Sequence, residues 1–316
     1  MVYNINIICL TYKGVFTLKA NLLLLLAAAI WGFAFVAQRI GMDHVGPYTF
    51  NGIRFALGSL SLLPLILFYH NRGQGAETSS GIIPAARIGV MAGVILFIAA
   101  SLQQIGLIYT TAGKAAFITC LYIVLVPLTG IFLKQRVSLP TWLGCLLALT
   151  GLYFLCIKEG FTISYGDLLE LIGAFFWTAH ILLIDRYAQK VDTLKLSCFQ
   201  FITCSALSLI TALCIETITW QGISQAGLPI LYGGLFSVGI AYTLQVVGQK
   251  SASPSHAAII LSMETVFAAI GGYLIINEHL GVRELWGCGL MLAGMLVSQL
   301  QSILALRNQP LKESAT

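Results

Sequence analysis

Two ionisable residues stand inside long apolar stretches, and they are the first places to look for chemistry. Glu264 lies in Leu261-Ser262-Met263-Glu264-Thr265-Val266-Phe267, and Arg54 follows Asn51-Gly52-Ile53 in another such stretch. A charge near the centre of a membrane helix costs roughly 2.5–3.5 kcal/mol on insertion scales, so such residues persist where they bind, pair or carry a proton. At helical spacing Glu264 shares a stripe with Ala257, Ala268 and Gly271. Small residues let helices approach closely, which turns this stripe toward a bundle. The carboxyl there could bind a proton or a cationic substrate group, or pair with a neighbouring helix. Arg54 shares a face with Asn51, Gly58 and Ser61. Its planar guanidinium suits a substrate carboxylate, and it suits equally well a partnership with Glu264.

A second tier is polar or aromatic rather than charged. Gln103 and Gln104 come late in the third apolar run, where Gln104 continues a stripe of Gly89, Gly93 and Ala100. His180, Tyr242, Gln245, Trp31 and Trp177 could line a cavity with them, or act as packing and interhelical hydrogen bonds. Asp167 and Glu170 open the sixth run at its outer end, where acids complement a helix N-terminus. The eight cysteines lie mostly in apolar runs, form no CxxC pair and accompany no histidine cluster, so they read as small packing residues. GxSxG, HExxH, GxxxxGK[ST] and acid clusters for metal chemistry are all missing. These absences predict no enzyme, no cofactor and no bound metal.

The elements that must hold these residues are set by composition. The chain is 58% hydrophobic and 9% charged over 316 residues; a soluble domain carries about 25% charged residues. Lipid is therefore the expected solvent, and without a basic stripe nucleic acid is not an expected partner. Ten runs reach about spanning length: 20–38, 47–69, 87–109, 113–133, 139–157, 166–187, 195–216, 227–248, 254–276 and 284–306. They are continuously apolar, which excludes the alternation of a membrane barrel and predicts helices. The first run has the positive flank of a secretion signal, but it continues through Trp31 to Ala37, which is spanning length. With the N-terminus inside, twelve Lys/Arg fall in cytoplasmic segments and four (Arg39, Lys114, Lys158, Arg283) in outer ones. That bias predicts both termini cytoplasmic in a cell membrane. The connection over 69–87 is the longest and reads as a mobile cytoplasmic link.

The chain also repeats itself. Leu143-Gly144-Cys145 through Gly151 matches Trp286-Gly287-Cys288 through Gly294 at an offset of 143, and Trp31, Phe55, Ser59 and Leu63 match Trp177, Phe201, Ser205 and Leu209 at 146. The expected organisation is a cytoplasmic segment 1–19, a first repeat 20–157, a second repeat 165–306 and a tail 307–316. Five helices per repeat is odd, so the copies must be inverted. The fold expected is all-α and polytopic, with ten transmembrane helices in two inverted five-helix repeats. Inverted repeats are a hallmark of secondary transporters, with the substrate near the midplane between them.

These features resemble the drug/metabolite transporter superfamily, specifically its EamA-type members, over about residues 20–306. Ala29-Ile30-Trp31-Gly32-Phe33 is similar to the family's first-helix Trp-Gly motif, and Arg54 sits where the family often carries an arginine. Glu264-Thr265-Val266-Phe267, continuing through Gly272 to Asn277-Glu278, is similar to its ninth-helix pattern, Glu-Pro-Val-Phe ending in Gly-Glu. Thr265 replaces the usual proline, Asn277 replaces the glycine, and Lys134-Gln135-Arg136 stands where the first repeat usually has its glutamate, although Pro127 is present. The resemblance implies a transporter of small metabolites, often amino acids or toxic compounds, directed out of the cell; with the proton-binding reading of Glu264, the leading expectation is a secondary transporter driven by the proton gradient. Its partners would be a small-molecule substrate and the bilayer, and a homodimer is compatible with it. Two other classes stay open: an intramembrane enzyme, and a receptor or assembly protein that transports nothing. Arg54 and Glu264 are expected to face one cavity, one from each repeat.

Overall fold

The computed structural model describes residues 2–71, 82–129, 139–157, 162–188, 190–249 and 260–298. The link over 72–81, the Lys134-Gln135-Arg136 segment, the start of the ninth run with Ala257, and the tail all lie outside the described residues, as does the Pro127 side chain. Helices account for almost everything described, and no strand forms among these residues; one isolated antiparallel bridge pairs Ile157 with Ile163. This is the outcome that hydrocarbon imposes, because a helix satisfies its backbone groups within its own segment.

The helices are α1 (Val2–Gly41), α2 (Pro47–Asn71), α3 (Ile82–Tyr109), α4 (Ala112–Thr119), α5 (Tyr122–Thr129), α6 (Leu139–Cys156), α7 (Tyr165–Ala188) and α8 (Thr193–Ile215). There follow α9 (Trp220–Gln225), α10 (Gly227–Leu231), a π-helix (Tyr232–Ala241), α11 (Tyr242–Gln249), α12 (Glu264–Ile276) and α13 (Val282–Ser298). Among the described residues seven helical stretches are long and apolar enough to cross a membrane: Leu18–Gly41, Pro47–Phe68, Pro84–Tyr109, Leu139–Cys156, Tyr165–Ile184, Thr193–Ile215 and Gly227–Gln245. Two shorter apolar helices, Ala112–Val126 and Ile260–Ile276, add to them. The protein is a multi-pass membrane protein.

Several ends are capped as their residue types require. Thr111 Oγ1 accepts from the Lys114 amide at the start of α4, Asp192 accepts from the Leu194 and Lys195 amides at the start of α8, and Thr219 does the same for α9.

The fourth run, expected as one helix, is two. Between α4 and α5 the Cys120–Leu121 step is tightened by i→i−3 bonds, with Leu121 N donating to Ile118 O at 3.1 Å and Ile123 N to Cys120 O at 3.0 Å. The ninth run also turns, at Met263, whose amide donates to Ile260 O at 3.1 Å. That turn forms without the family's proline, since Thr265 sits within α12.

Packing joins α6 to α13, α2 to α8, α3 to both α7 and α8, and α1 to α12, to α11 and to the π-helix. The π-helix also packs on α2, and α4 packs on α12 and α7. Small residues allow these approaches. Gly89 and Gly93 of α3 sit against Leu196, Phe199, Gln200 and Thr203 of α8, and Gly271 of α12 sits against Phe33 and Val36 of α1. The predicted stripe of Ala268 and Gly271 is thus buried in the bundle. Large apolar side chains such as Leu22, Leu60, Leu146 and Leu213 point outward, where lipid is their solvent.

Candidate functional site

Glu264 opens α12, immediately after the turn at Met263, and only 5% of it is exposed. Its Oε1 accepts from the Cys120 thiol at 2.9 Å and from the Tyr122 hydroxyl at 3.4 Å. Cys120 and Tyr122 belong to the interruption between α4 and α5. The carboxyl therefore sits where two broken helices meet, at an N-terminal helix end that favours negative charge. No cation lies within ion-pair distance of it among the described residues.

Arg54 is elsewhere in the partner network. It is 4% exposed; its Nε donates to Asn51 Oδ1 at 2.9 Å, and its guanidinium carbon lies 4.7 Å from the centre of the Phe55 ring. Phe50 lies on another side at 5.8 Å. Amide and aromatic faces thus hold the charge. The ion pair with Glu264 that the sequence left open is not formed; each residue has its own partners.

Four of the second-tier residues come together. His180 Nε2 lies 2.9 Å from Gln200 Oε1, and Gln200 Nε2 donates to Tyr242 Oη at 3.4 Å. Trp177 meets the His180 ring edge-on at 6.0 Å, and Trp31 meets Tyr242 edge-on at 6.3 Å. Phe201 stacks on Phe55 and meets Tyr242 edge-on. The two tryptophans, equivalent in the repeat, differ in one respect. Trp31 Nε1 donates to Ser237 O at 3.0 Å, whereas Trp177 Nε1 is buried with no hydrogen-bond partner among the described residues. Buried donors in folded proteins are nearly always satisfied, which sets this one apart from Trp31 Nε1.

Gln104 is not in this network. It is fully buried against α1, donating to Gln38 O at 3.3 Å. Gln245 is half-buried on α11 and makes none of the network's bonds. Gln103 donates instead to Thr119 Oγ1 at 3.2 Å.

Gln200, Cys120 and Tyr122 were not singled out in the sequence. Gln200 had a signal: the offset of 146 that maps Phe55 to Phe201 maps Arg54 to Gln200. Cys120 and Tyr122 had none, because nothing local marks the interruption.

The acids of the sixth run need correction. They do open α7, but both are completely buried rather than surface residues at a helix end. Asp167 pairs with Lys114 Nζ at 2.8 Å and accepts from Thr110 Oγ1 at 2.5 Å; Lys114 also reaches Glu284 at 3.6 Å. Glu170 Oε2 accepts from Thr119 Oγ1 at 3.0 Å.

At one end of the bundle, two carboxylates from the second half of the chain cap helices of the first. Glu216 accepts from the Tyr48 and Thr49 amides at 2.9 and 2.8 Å, at the start of α2. Glu278 accepts from the Ala112 amide at 2.8 Å, at the start of α4. Asn277 turns the chain for this. It holds φ 53°, a left-handed conformation that glycine and asparagine tolerate best, and Glu278 N then donates back to Gly272 O at 3.0 Å. The family's glycine at this position and the asparagine here meet the same backbone demand.

Burial raises the Glu278 carboxyl above the usual glutamate value, opposed by the Ala112 amide, Arg39 and the Gly113 amide. The folded state then holds the proton more tightly than the unfolded one. The resulting stability is present below the ordinary glutamate value and is lost as pH rises through the raised one. Glu278→Gln keeps an acceptor for Ala112 and removes this titration. Its melting temperature is expected to fall less than that of the wild type between acid and neutral pH; parallel profiles would show that Glu278 does not contribute.

Comparison with known proteins agrees with this architecture. The sequence pattern of the EamA-like transporter family matches the chain twice, over residues 18–157 and 164–299. An uncharacterized transporter of Archaeoglobus fulgidus is 32% identical over 295 residues, covering 92% of this chain and 88% of its own. The uncharacterized transporter YoaV of Bacillus subtilis is 22% identical, covering 89% and 96%. A crystal structure 20% identical to this chain has the same fold, with a TM-score of 0.64 over 89% of this chain and 97% of that one. With two copies of the family's sequence pattern spanning nearly all its apolar helices, the chain is a membrane transporter and belongs to the EamA-like transporter family.

Proposed function

We propose that the protein is a secondary active transporter that exports a small metabolite, an amino acid or related compound, or a drug, in exchange for protons. The observation that carries the proposal is Glu264: a buried carboxyl with no cation beside it among the described residues, at the meeting point of two interrupted helices. Interrupted helices expose backbone ends and can change their angle, which is how many carriers build a site between repeats. In this reading Glu264 takes the proton, while Trp31, Trp177, His180 and Tyr242, with Gln200, receive the substrate. Aromatic faces suit its flat or apolar part, and the unpartnered Trp177 donor and the His180–Gln200 pair suit its polar atoms. Arg54, Gln104 and Gln245 flank that compartment.

Alternating access would use ten helices in two inverted repeats. The packing supports this arrangement. Exchanging α1 with α7, α2 with α8, and α3 with the π-helix turns the α2–π-helix contact into α8–α3 and the α1–π-helix contact into α7–α3. The α2–α8 and α6–α13 contacts map onto themselves, and Phe55 stacks on its repeat equivalent Phe201 at 5.9 Å.

The test is accumulation of labelled amino acids and related amphiphiles in inside-out vesicles with an acidic lumen. Uphill accumulation that stops when the proton gradient is collapsed is expected. Accumulation indifferent to the gradient would refute proton coupling, and no accumulation of any candidate would refute the proposed substrate class.

The orientation has its own test, in a background lacking the native cysteines. A cysteine introduced at Ser224, exposed in α9, should react with a membrane-impermeant thiol reagent in intact cells. One introduced at Ser79 should be protected. The reverse pattern would place the termini outside.

A further inference from the structure

We infer that Glu170 is a second proton-binding site, distinct from Glu264 and joined to it through the interruption of α4. Glu170 is fully buried, and its Oε1 has no hydrogen-bond partner among the described residues. Its other oxygen ends a short chain of hydrogen bonds. Gln103 Nε2 donates to Thr119 Oγ1, which spends its own proton on Glu170 Oε2 at 3.0 Å. One neutral donor does not stabilise a buried carboxylate; an ionised acid so placed in a low-dielectric interior is strongly unfavourable, and protonation removes the charge.

Among the described residues, no counter-charge is free to serve it. On α7, Asp167 lies one turn away and is itself acidic. On α4, Lys114 is shared between Asp167 and Glu284 of α13. Tyr122 and Cys120, at and beside the start of α5, donate to Glu264. Cys156 of α6 lies near the Lys114–Asp167 pair. Each is engaged elsewhere or carries no positive charge.

A metal ion does not fit the same place. Oε1 packs against Gly106, where even an added Cβ would sit 2.8 Å away, and no group of three His, Cys, Asp or Glu gathers among the described residues. The ligand that fits is a proton, taken from water and returned to it, which changes Glu170 between anion and neutral acid.

The placement gives this site a mechanical role. Glu170 holds Thr119 and Glu264 holds Cys120, adjacent residues at the break between α4 and α5. Losing either proton puts a charge beside that break, and the helix is free to re-angle there because its i→i−4 ladder is already interrupted. Two acids on one hinge make the conformational equilibrium depend on both protons.

Infrared spectroscopy of the purified full-length protein in lipid nanodiscs tests this without any substrate, and so independently of the function proposed above. At neutral pH exposed carboxyls are ionised, since their ordinary values are near 4. Only buried, protonated acids then give a carboxylic carbonyl band. Glu170→Gln should remove one component of that band and leave the Glu264 component, Glu264→Gln should do the converse, and the double variant should lose both. Thr119→Val should shift the Glu170 component in frequency without removing it, which a merely structural role would not do. If Glu170→Gln fails to fold, the Thr119→Val shift decides alone. A band unchanged by Glu170→Gln in folded protein, or by Thr119→Val, overturns the proposal.

Discussion

Leucine at Gly151 is expected to destroy the folded protein, whereas leucine at Gly289 is expected to leave it intact. Gly151 of α6 and Gly287 of α13 pack backbone to backbone. A Cβ on Gly151 would lie 2.6 Å from Gly287 O and 2.6 Å from Met291 N, and one on Gly287 would lie 2.8 Å from Gly151 O. Gly144 and Gly294 repeat the arrangement further along, with a Gly144 Cβ 2.5 Å from Gly294 O. Backbone cannot yield as a flexible side chain can, so the helices would have to separate and leave Cys145, Ala148, Met291 and Met295 without contacts. Overpacking costs about 1–3 kcal/mol where side chains can adjust, and more where they cannot. Gly289 has nothing within 4 Å of its Cβ position, so leucine there meets lipid. Size-exclusion profiles after heating in detergent would compare the two. A Gly151→Leu protein as heat-resistant as the wild type would mean that α6 and α13 do not pack in this register.

This seam was visible in the sequence as a repeated motif, but its meaning was not. Gly144 to Gly151 and Gly287 to Gly294 are matching segments, and similarity alone does not say that the two copies touch. They touch because glycines on both helices let the two backbones meet, and a larger side chain at those positions would hold the helices apart. Apolar length and continuity predicted the helical class well, since hydrocarbon leaves the backbone little choice. The interruptions at Cys120–Leu121 and Met263 were not legible. Neither site carries a proline or glycine, and the backbone there is held by tertiary contacts that local propensity does not encode. Glu170 was misplaced for a related reason: its position near a helix start suggested a surface acid, whereas Thr119 of a neighbouring helix covers it. His180 and Tyr242 stood out because polar side chains are rare in such runs, and the two tryptophans because they match in the repeat; the structure brings the four together. Gln104 met the same criterion yet packs as an interhelical hydrogen bond, so rarity alone did not separate the two roles.

Glu264→Gln is expected to insert and fold normally while losing gradient-driven accumulation down to the level of empty vesicles. Glutamine keeps the shape, and its Oε1 can accept from Cys120 and Tyr122 as the carboxyl does, so the junction of the two broken helices is preserved. It cannot bind and release a proton, so the protein would lose the link between the gradient and its conformational equilibrium. Exchange of labelled for unlabelled substrate across the membrane needs no net proton movement and should survive. Loss of accumulation with retained exchange therefore separates a coupling residue from a structural one. Arg54 provides the contrast. Its partners are Asn51, Phe50 and Phe55, none of which touches the Glu264 carboxyl. Residues without shared partners usually add within about 0.3–0.5 kcal/mol, so Arg54→Ala and Glu264→Gln should be additive in thermal stability. Strong non-additivity would restore the direct pairing of the two charges, in a conformation other than this one. Uphill accumulation by Glu264→Gln that still follows the proton gradient would remove Glu264 from the coupling mechanism altogether.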